Sequence, residues 1–164
     1  MGVAAEMFPP FTTVQYYFYG VRDSGVLDLL NETLVSVARG LSDRDEEPTA
    51  AIIDDQSVKT TETGGPRGFD AGKKIKGRKR HIVTDTQGHM LTGVVHEANI
   101  QDRDGAPGVI SLACTSFSRI KHIFADGGYA GEKLEEALTK VGGPSIEIVK
   151  RPDDVKGFVL VARR

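Results

Sequence analysis

"AIIDDQSVKT", residues 51–60, sets two adjacent carboxylates directly after an apolar run. Ala51, Ile52 and Ile53 read as a short buried strand that stops on Asp54 and Asp55. Acids in that place are ordinarily turn residues; alternatively, a sheet is delivering them to its rim. A second stretch repeats the pattern, because in "RIKHIFADGGYAG", residues 119–131, a strand ends on Asp126 before two glycines. In an open α/β sheet, side chains leaving strand ends converge on one cleft although they are far apart in sequence. Carboxylates that meet there form a hard-oxygen site of the kind Mg²⁺ or Mn²⁺ prefers.

The surrounding chain supplies such a sheet. From Ser24 onward, Leu27, Leu30, Leu34, Val37 or Ala38, and Leu41 recur at helical spacing, with Ser24 as the expected N-cap. The acidic stretch "GLSDRDEEPTA" reads as a linker, so residues 1–47 form an N-terminal helical and aromatic segment and residues 48–164 the main domain. After the first strand, the glycine-rich "TTETGGPRGFDAGKK" reads as an irregular loop. Two strand-like halves of "RKRHIVTDTQGHMLTGVVHEAN" flank a hairpin turn at Thr86-Gln87-Gly88. A weak helix in "DRDGAPGVISLAC", the strand that ends at Asp126, a good helix in "EKLEEALTKVG" and a final strand in "SIEIVKR" complete the order. The expectation is an α/β fold: a mixed sheet flanked by helices.

Composition narrows the function classes. With 164 residues, 39% of them hydrophobic, the chain can bury a real core. A single cysteine, Cys114, excludes an intramolecular disulfide and a cysteine-rich metal site. No run is long and apolar enough for a membrane span, and neither a signal peptide nor a lipid anchor is read at the N-terminus. The net charge of −2 argues against a polyanion partner, but the charge is unevenly spread. Lys73, Lys74, Lys76, Arg78, Lys79 and Arg80 follow one another with no acid between them, and such a block can hold DNA phosphates.

Five stretches together resemble a known family: "IIDDQSVKTT", "GGPRGFDAGKKIKGRKRHIVTDT", "VVHEANIQDRDGA", "FADGGYAG" and "IEIVKR". They are similar to the DDE transposases of bacterial insertion sequences, in the type 4 and type 5 group. The likeness extends from "FPPFTTVQYYFYGVRDSG" to "KGFVLVARR" and is most specific in "GGPRGFDAGKKIKGRKRH". It implies a ribonuclease-H-like core in which three acids hold two divalent ions, Mg²⁺ or Mn²⁺. It further implies double-stranded DNA as partner (element ends and target), a homodimer or an intact transposase as protein partner, and a bacterial cytoplasmic location. By motif, Asp54 matches the first acid and Asp126 the second, both as catalytic metal ligands. Asp55 occupies the family's usual serine position, which leaves two adjacent acids as candidate ligands.

The third acid of the family is a glutamate in a segment resembling Trp-Val-Val-Glu-Arg, and Arg163-Arg164 end the sequence before it. Glu132, Glu135, Glu136 and Glu147 lie in other elements. The resemblance thus implies a truncated transposase, one half of a frameshifted gene or a remnant, inactive alone. A non-catalytic DNA-binding fragment is the alternative, and a phosphoacceptor signalling domain a distant third.

The remaining candidates have blander readings. His81 and His96 are expected to pack or hydrogen-bond, His89 and His122 to lie on the surface, and Cys114 to be a buried, inert thiol. Asp102 and Asp104 are expected to cap the following helix. The aromatic cluster Phe8, Phe11, Tyr16, Tyr17, Phe18 and Tyr19 is expected to pack an N-terminal subdomain, with base stacking as the alternative. Tyr129 either packs behind Asp126 or touches DNA.

Overall fold

Gly25 fixes where the helices of the first unit end and begin. In this computed structural model, which describes residues 8–60 and 64–149, the chain divides into two units, Met1–Glu46 and Glu47–Arg164. The first holds α1 (Phe11–Asp23) and α2 (Val26–Leu41). Between them Gly25 takes φ 73°, a left-handed conformation that glycine adopts without steric cost. Ser24 is therefore not the N-cap of α2, as expected, but the last residue of the α1 turn. Its backbone N–H donates to the Gly20 carbonyl at 3.2 Å and its hydroxyl to the Val21 carbonyl at 3.1 Å. The aromatic cluster also departs from expectation: α1 buries none of its residues, and Phe11, Tyr16, Tyr17 and Phe18 are all exposed.

The second unit is built on a mixed sheet. Its elements are β1 (Ala50–Lys59), β2 (Gly68–Asp70), β3 (Ile75–Asp85), β4 (Met90–Glu97), α3 (Asp102–Ser116), β5 (His122–Ala125), α4 (Glu132–Lys140) and β6 (Ser145–Ile148). β3 is antiparallel to β1 and β4, whereas β1, β5 and β6 run parallel. The spatial order is β4-β3-β1-β5-β6, with the short β2 pairing the first residues of β3. A three-stranded meander followed by two helical crossovers into parallel strands is the ribonuclease-H-like arrangement.

One face of the sheet carries the core. Ala51 and Ile53 of β1, Val83 of β3, and Ile123 and Ala125 of β5 are buried, as are Ala106, Val109, Ile110 and Ala113 of α3 and Leu134 and Leu138 of α4. Strand alternation sends Ile52 and Phe124 to the opposite face, where they are half-buried. Cys114 on α3 is half-buried, and burial raises its thiol pKa.

Two predicted boundaries move. β1 does not stop at the aspartates but continues to Lys59, because its second half pairs residue by residue with β3. The glycine-rich loop is not wholly irregular, since Gly68–Asp70 folds back on β3. Arg78 braces the residues before it, donating to the Gly64 and Pro66 carbonyls at 2.9 and 3.1 Å. The predicted β3–β4 turn is present, with Gly88 at φ 91°. The buried Asp85 carboxylate closes it by accepting the N–H groups of Gln87 and His89, each at 2.9 Å. Lys150 and Arg151, the end of the last predicted strand, lie outside the described residues.

Candidate metal and nucleic-acid site

The parallel pairing of β1 with β5 aligns two acids. Its last partners are Ile52 and Phe124, and Asp54 and Asp126 each follow two residues later. Asp126 has left the strand but keeps an extended backbone (φ −84°, ψ −178°) just beyond the end of β5. Both residues are exposed. Asp54 Oδ1 accepts the N–H of Asp55 at 2.8 Å, and Asp126 Oδ1 accepts the N–H of Gly128 at 2.9 Å. These bonds orient each carboxylate, and the second oxygen of each has no hydrogen-bond partner among the described residues. The donor set therefore suits a hard divalent cation, although among the described residues no group of three or more His, Cys, Asp or Glu side chains is arranged to hold one.

The basic block splits by the same alternation. In β3, Ile82 pairs with Asp54 and Arg80 with Gln56, so Lys76, Arg78 and Arg80 belong to the Asp54 face. Lys76 and Arg80 are exposed, and the Arg80 guanidinium donates to the Gln56 side chain. Lys74 is exposed in the turn before β3 at φ 55°. Lys79 goes the other way: it is buried on the helix-covered face and offers nothing to a phosphate at the surface. Lys73 is exposed, but its ammonium is bound to Asp55 at 2.6 Å.

Asp55, Lys73 and Lys79 belong to a polar cluster on that second face. Lys79 contacts Asp102 directly and lies 3.5 Å from Asp70 Oδ2 and 3.9 Å from Asp55 Oδ2. Ser57 donates its hydroxyl to Asp70 at 2.6 Å, and the Lys73 backbone N–H donates to the other Asp70 oxygen at 3.0 Å. The Ser57 hydroxyl, then that N–H and the Lys79 charge, outweigh burial and hold the Asp70 carboxyl down at about 2. Asp55 shifts the opposite way: burial, with the Asp102 charge behind it, raises its pKa against the pull of Lys73. Asp102 and Asp104 stand in the first turn of α3 but cap nothing; Lys79 and Lys133 engage their carboxylates. The sequence reading missed the Asp70–Lys79–Asp102 grouping, since its members come from three separate elements.

Tyr129 packs rather than facing solvent. It is 1% exposed, in the 3₁₀ turn that follows Asp126, and its hydroxyl pairs with His81 Nδ1 at 3.1 Å. Burial, then the nearby Asp55, Asp102, Asp54 and Asp126 charges, push its phenol pKa far upward. His81 is fully buried and stacks on His96 with ring centroids 4.8 Å apart. Burial and then His96 lower its pKa to about 4. Both histidines do pack and hydrogen-bond, His96 through Nδ1 to the Glu97 carbonyl at 2.8 Å.

Sheet order defines a ribonuclease-H-like α/β domain. A family model described as "Transposase DDE domain" matches residues 45–160. The chain belongs to that family. Among solved structures it is similar to the piggyBac transposase in a synaptic complex with hairpin DNA, determined by cryo-electron microscopy, at 14% identity and a TM-score of 0.35. That similarity covers 67% of this chain and 24% of the piggyBac chain, so the protein spans about a quarter of that transposase's length. No curated protein matches the chain. No helix among the described residues is long and apolar enough to cross a membrane.

Proposed function

We propose that this chain carries part of the catalytic core of an insertion-sequence DNA transposase, with Asp54 and Asp126 as its first two metal-ligating carboxylates. The observation that supports this most is that each acid stands two residues beyond the paired Ile52 of β1 and Phe124 of β5, with Lys76, Arg78 and Arg80 on the Asp54 face of β3. Asp54 is the ligand in this reading and Asp55 is not, because Asp55 points to the opposite face and binds Lys73. A bound Mg²⁺ or Mn²⁺ supplies electrostatic stabilisation of the charge that develops on the reacting phosphate. Lys76 and Arg80, with Lys74 at the turn, hold the backbone of double-stranded DNA by charge. Water attacks a phosphodiester at an element end, the P–O3′ bond breaks and a 3′-hydroxyl is released. That hydroxyl then attacks a target phosphodiester and displaces a second 3′-oxygen. The setting is the bacterial cytoplasm, and the protein partner is a second copy or an intact transposase.

A second reading, a DNA-binding fragment without catalysis, is favoured by one observation: no third acid joins Asp54 and Asp126 among the described residues. A nicking assay on element-end DNA with Mg²⁺ or Mn²⁺ decides between them. Cleavage that disappears in Asp126→Ala supports the enzyme, whereas binding without cleavage supports the fragment.

A further inference from the structure

Both helices of the first unit carry an apolar stripe that stands exposed. On α2 the stripe is Leu27, Leu30, Leu34, Val37 and Leu41, stepping by three and four residues in turn, with exposures from 49 to 84%. On α1, Phe11, Val14, Phe18 and Val21 follow the same three-four spacing and are 40 to 75% exposed. A mean step of about 3.5 residues is that of a seam between helices, in which each apolar side chain inserts among four residues of the facing helix. The residues that α2 does bury, Val35 and Arg39, lie on its other side, where the Arg39 side chain donates to the Asp45 carbonyl at 2.8 Å. α1 buries none of its residues.

We propose that these stripes are the docking surface for a second copy of this chain, the two α1–α2 pairs closing into a four-helix bundle with the α2 seams against each other. Charge and area both point to a copy of the same chain. The positions that flank the α2 seam are Val26, Asn31, Thr33, Ala38 and Gly40, none of them ionisable, while Asp28, Glu32 and Arg39 lie off it. Charges at such flanking positions set partner choice, so their absence leaves nothing to repel an identical helix and nothing to attract an oppositely charged one. Ala38 and Gly40 are small enough for the facing helix to come close. At these exposures the nine stripe side chains present roughly 1,000 Å² to a partner, against about 800 Å² on each side of a stable interface. A monomer rarely leaves a contiguous apolar patch of more than about a few hundred Å² in water. The surface includes no residue of the Asp54–Asp126 site, so it stands independently of that reading.

Sedimentation equilibrium of the full chain at ~50 µM tests this, a concentration above the micromolar Kd at the weak end for an interface of this size. The wild type is expected to show twice the mass of one chain. Leu34→Glu, at the middle of the α2 stripe, and Phe18→Glu, on the α1 stripe, should each weaken the dimer at least about tenfold. Leu29→Glu is the matched control, because Leu29 is similarly exposed on α2 but lies off the stripe, and it should leave the dimer intact. If Leu34→Glu lowers the helical circular dichroism, Leu34→Ala takes its place, since alanine keeps the helix propensity, and the same weakening of about tenfold is expected. A wild type that stays at the mass of one chain overturns the proposal. So does a dimer that either stripe variant leaves unchanged, or one that Leu29→Glu weakens as much as Leu34→Glu.

Discussion

Asp54 and Asp126, seventy-two positions apart in sequence, each follow by two residues the last paired residues of two parallel strands, Ile52 and Phe124. Asp55, the very next residue, is turned to the other face and held by Lys73 at 2.6 Å. The pleat of β1 thus separates two adjacent acids into two environments, one open and one closed.

Lys79→Ala leaves Asp102, Asp70 and Asp55 facing one another without the cation between them. Removing one partner of a buried charge cluster costs about 3–5 kcal/mol. Urea unfolding should show a loss of that order for Lys79→Ala. Lys74→Ala, in an exposed turn, should change stability by less than about 0.5 kcal/mol.

Asp70 gives an acid-side signature. Its folded pKa of about 2 lies below the unfolded carboxylate value, so its contribution is present above the unfolded pKa and fades as pH falls through about 2. Ser57→Ala removes the largest cause of that depression. Carbon-detected NMR titration should find the Asp70 carboxyl moved up toward about 3.9 in the variant. An unchanged titration would separate Ser57 from the effect.

His81 gives a second pH dependence with a different window. Its folded pKa of about 4 lies below the unfolded value, and the neutral ring is the buried form. Its contribution is complete above about 6.5 and is lost as pH falls from there toward 4. The His81 ring resonances should remain those of a neutral imidazole at pH 5.5, while exposed model imidazole is mostly protonated at that pH (~5.5). Tyr129→Phe, which removes the 3.1 Å partner of Nδ1, should cost about 1–3 kcal/mol through an unsatisfied buried nitrogen.

Gly128→Ala tests the spacing between the two acid groups. Its Cβ would meet Asp102 Oδ2 at 2.7 Å and Asp126 Oδ1 at 3.1 Å, so one carboxylate must move. The expected outcome is a loss of about 1–3 kcal/mol in stability, with weaker Mn²⁺ binding than wild type. Gly127→Ala, where a Cβ meets nothing within 4 Å, is the matched control and should change neither strongly.

Much of this was legible in the sequence, and the exceptions have physical causes. The end of β5 just before Asp126 is legible because an apolar run stops there and two glycines follow, a break that burial and turn chemistry both demand. The end of β1 was missed because its second half is a strand by backbone pairing with β3, although Gln56 and Lys59 are exposed and polar. A run of apolar residues marks only the part of a strand that helices cover. The basic block read as one surface because charge was counted along the chain. Once Lys76 to Arg80 is placed on a strand, alternation puts Lys79 on the face opposite Lys76, Arg78 and Arg80. Asp70 and Asp102 carried no local signal, since each looks like an ordinary turn or first-turn acid until the fold brings both to Lys79.

Iron-mediated backbone cleavage tests the central claim most directly. Fe²⁺ bound in place of Mg²⁺ and supplied with hydrogen peroxide, with ascorbate to reduce the Fe³⁺ formed, generates hydroxyl radicals that cut the chain where the ion sits. If Asp54 and Asp126 hold the ion, mass spectrometry will map the cuts to the segments around both residues. Asp54→Asn or Asp126→Asn will then abolish cutting at both, while Asp55→Asn will leave it in place. Cuts that persist in Asp54→Asn but vanish in Asp55→Asn would contradict the account.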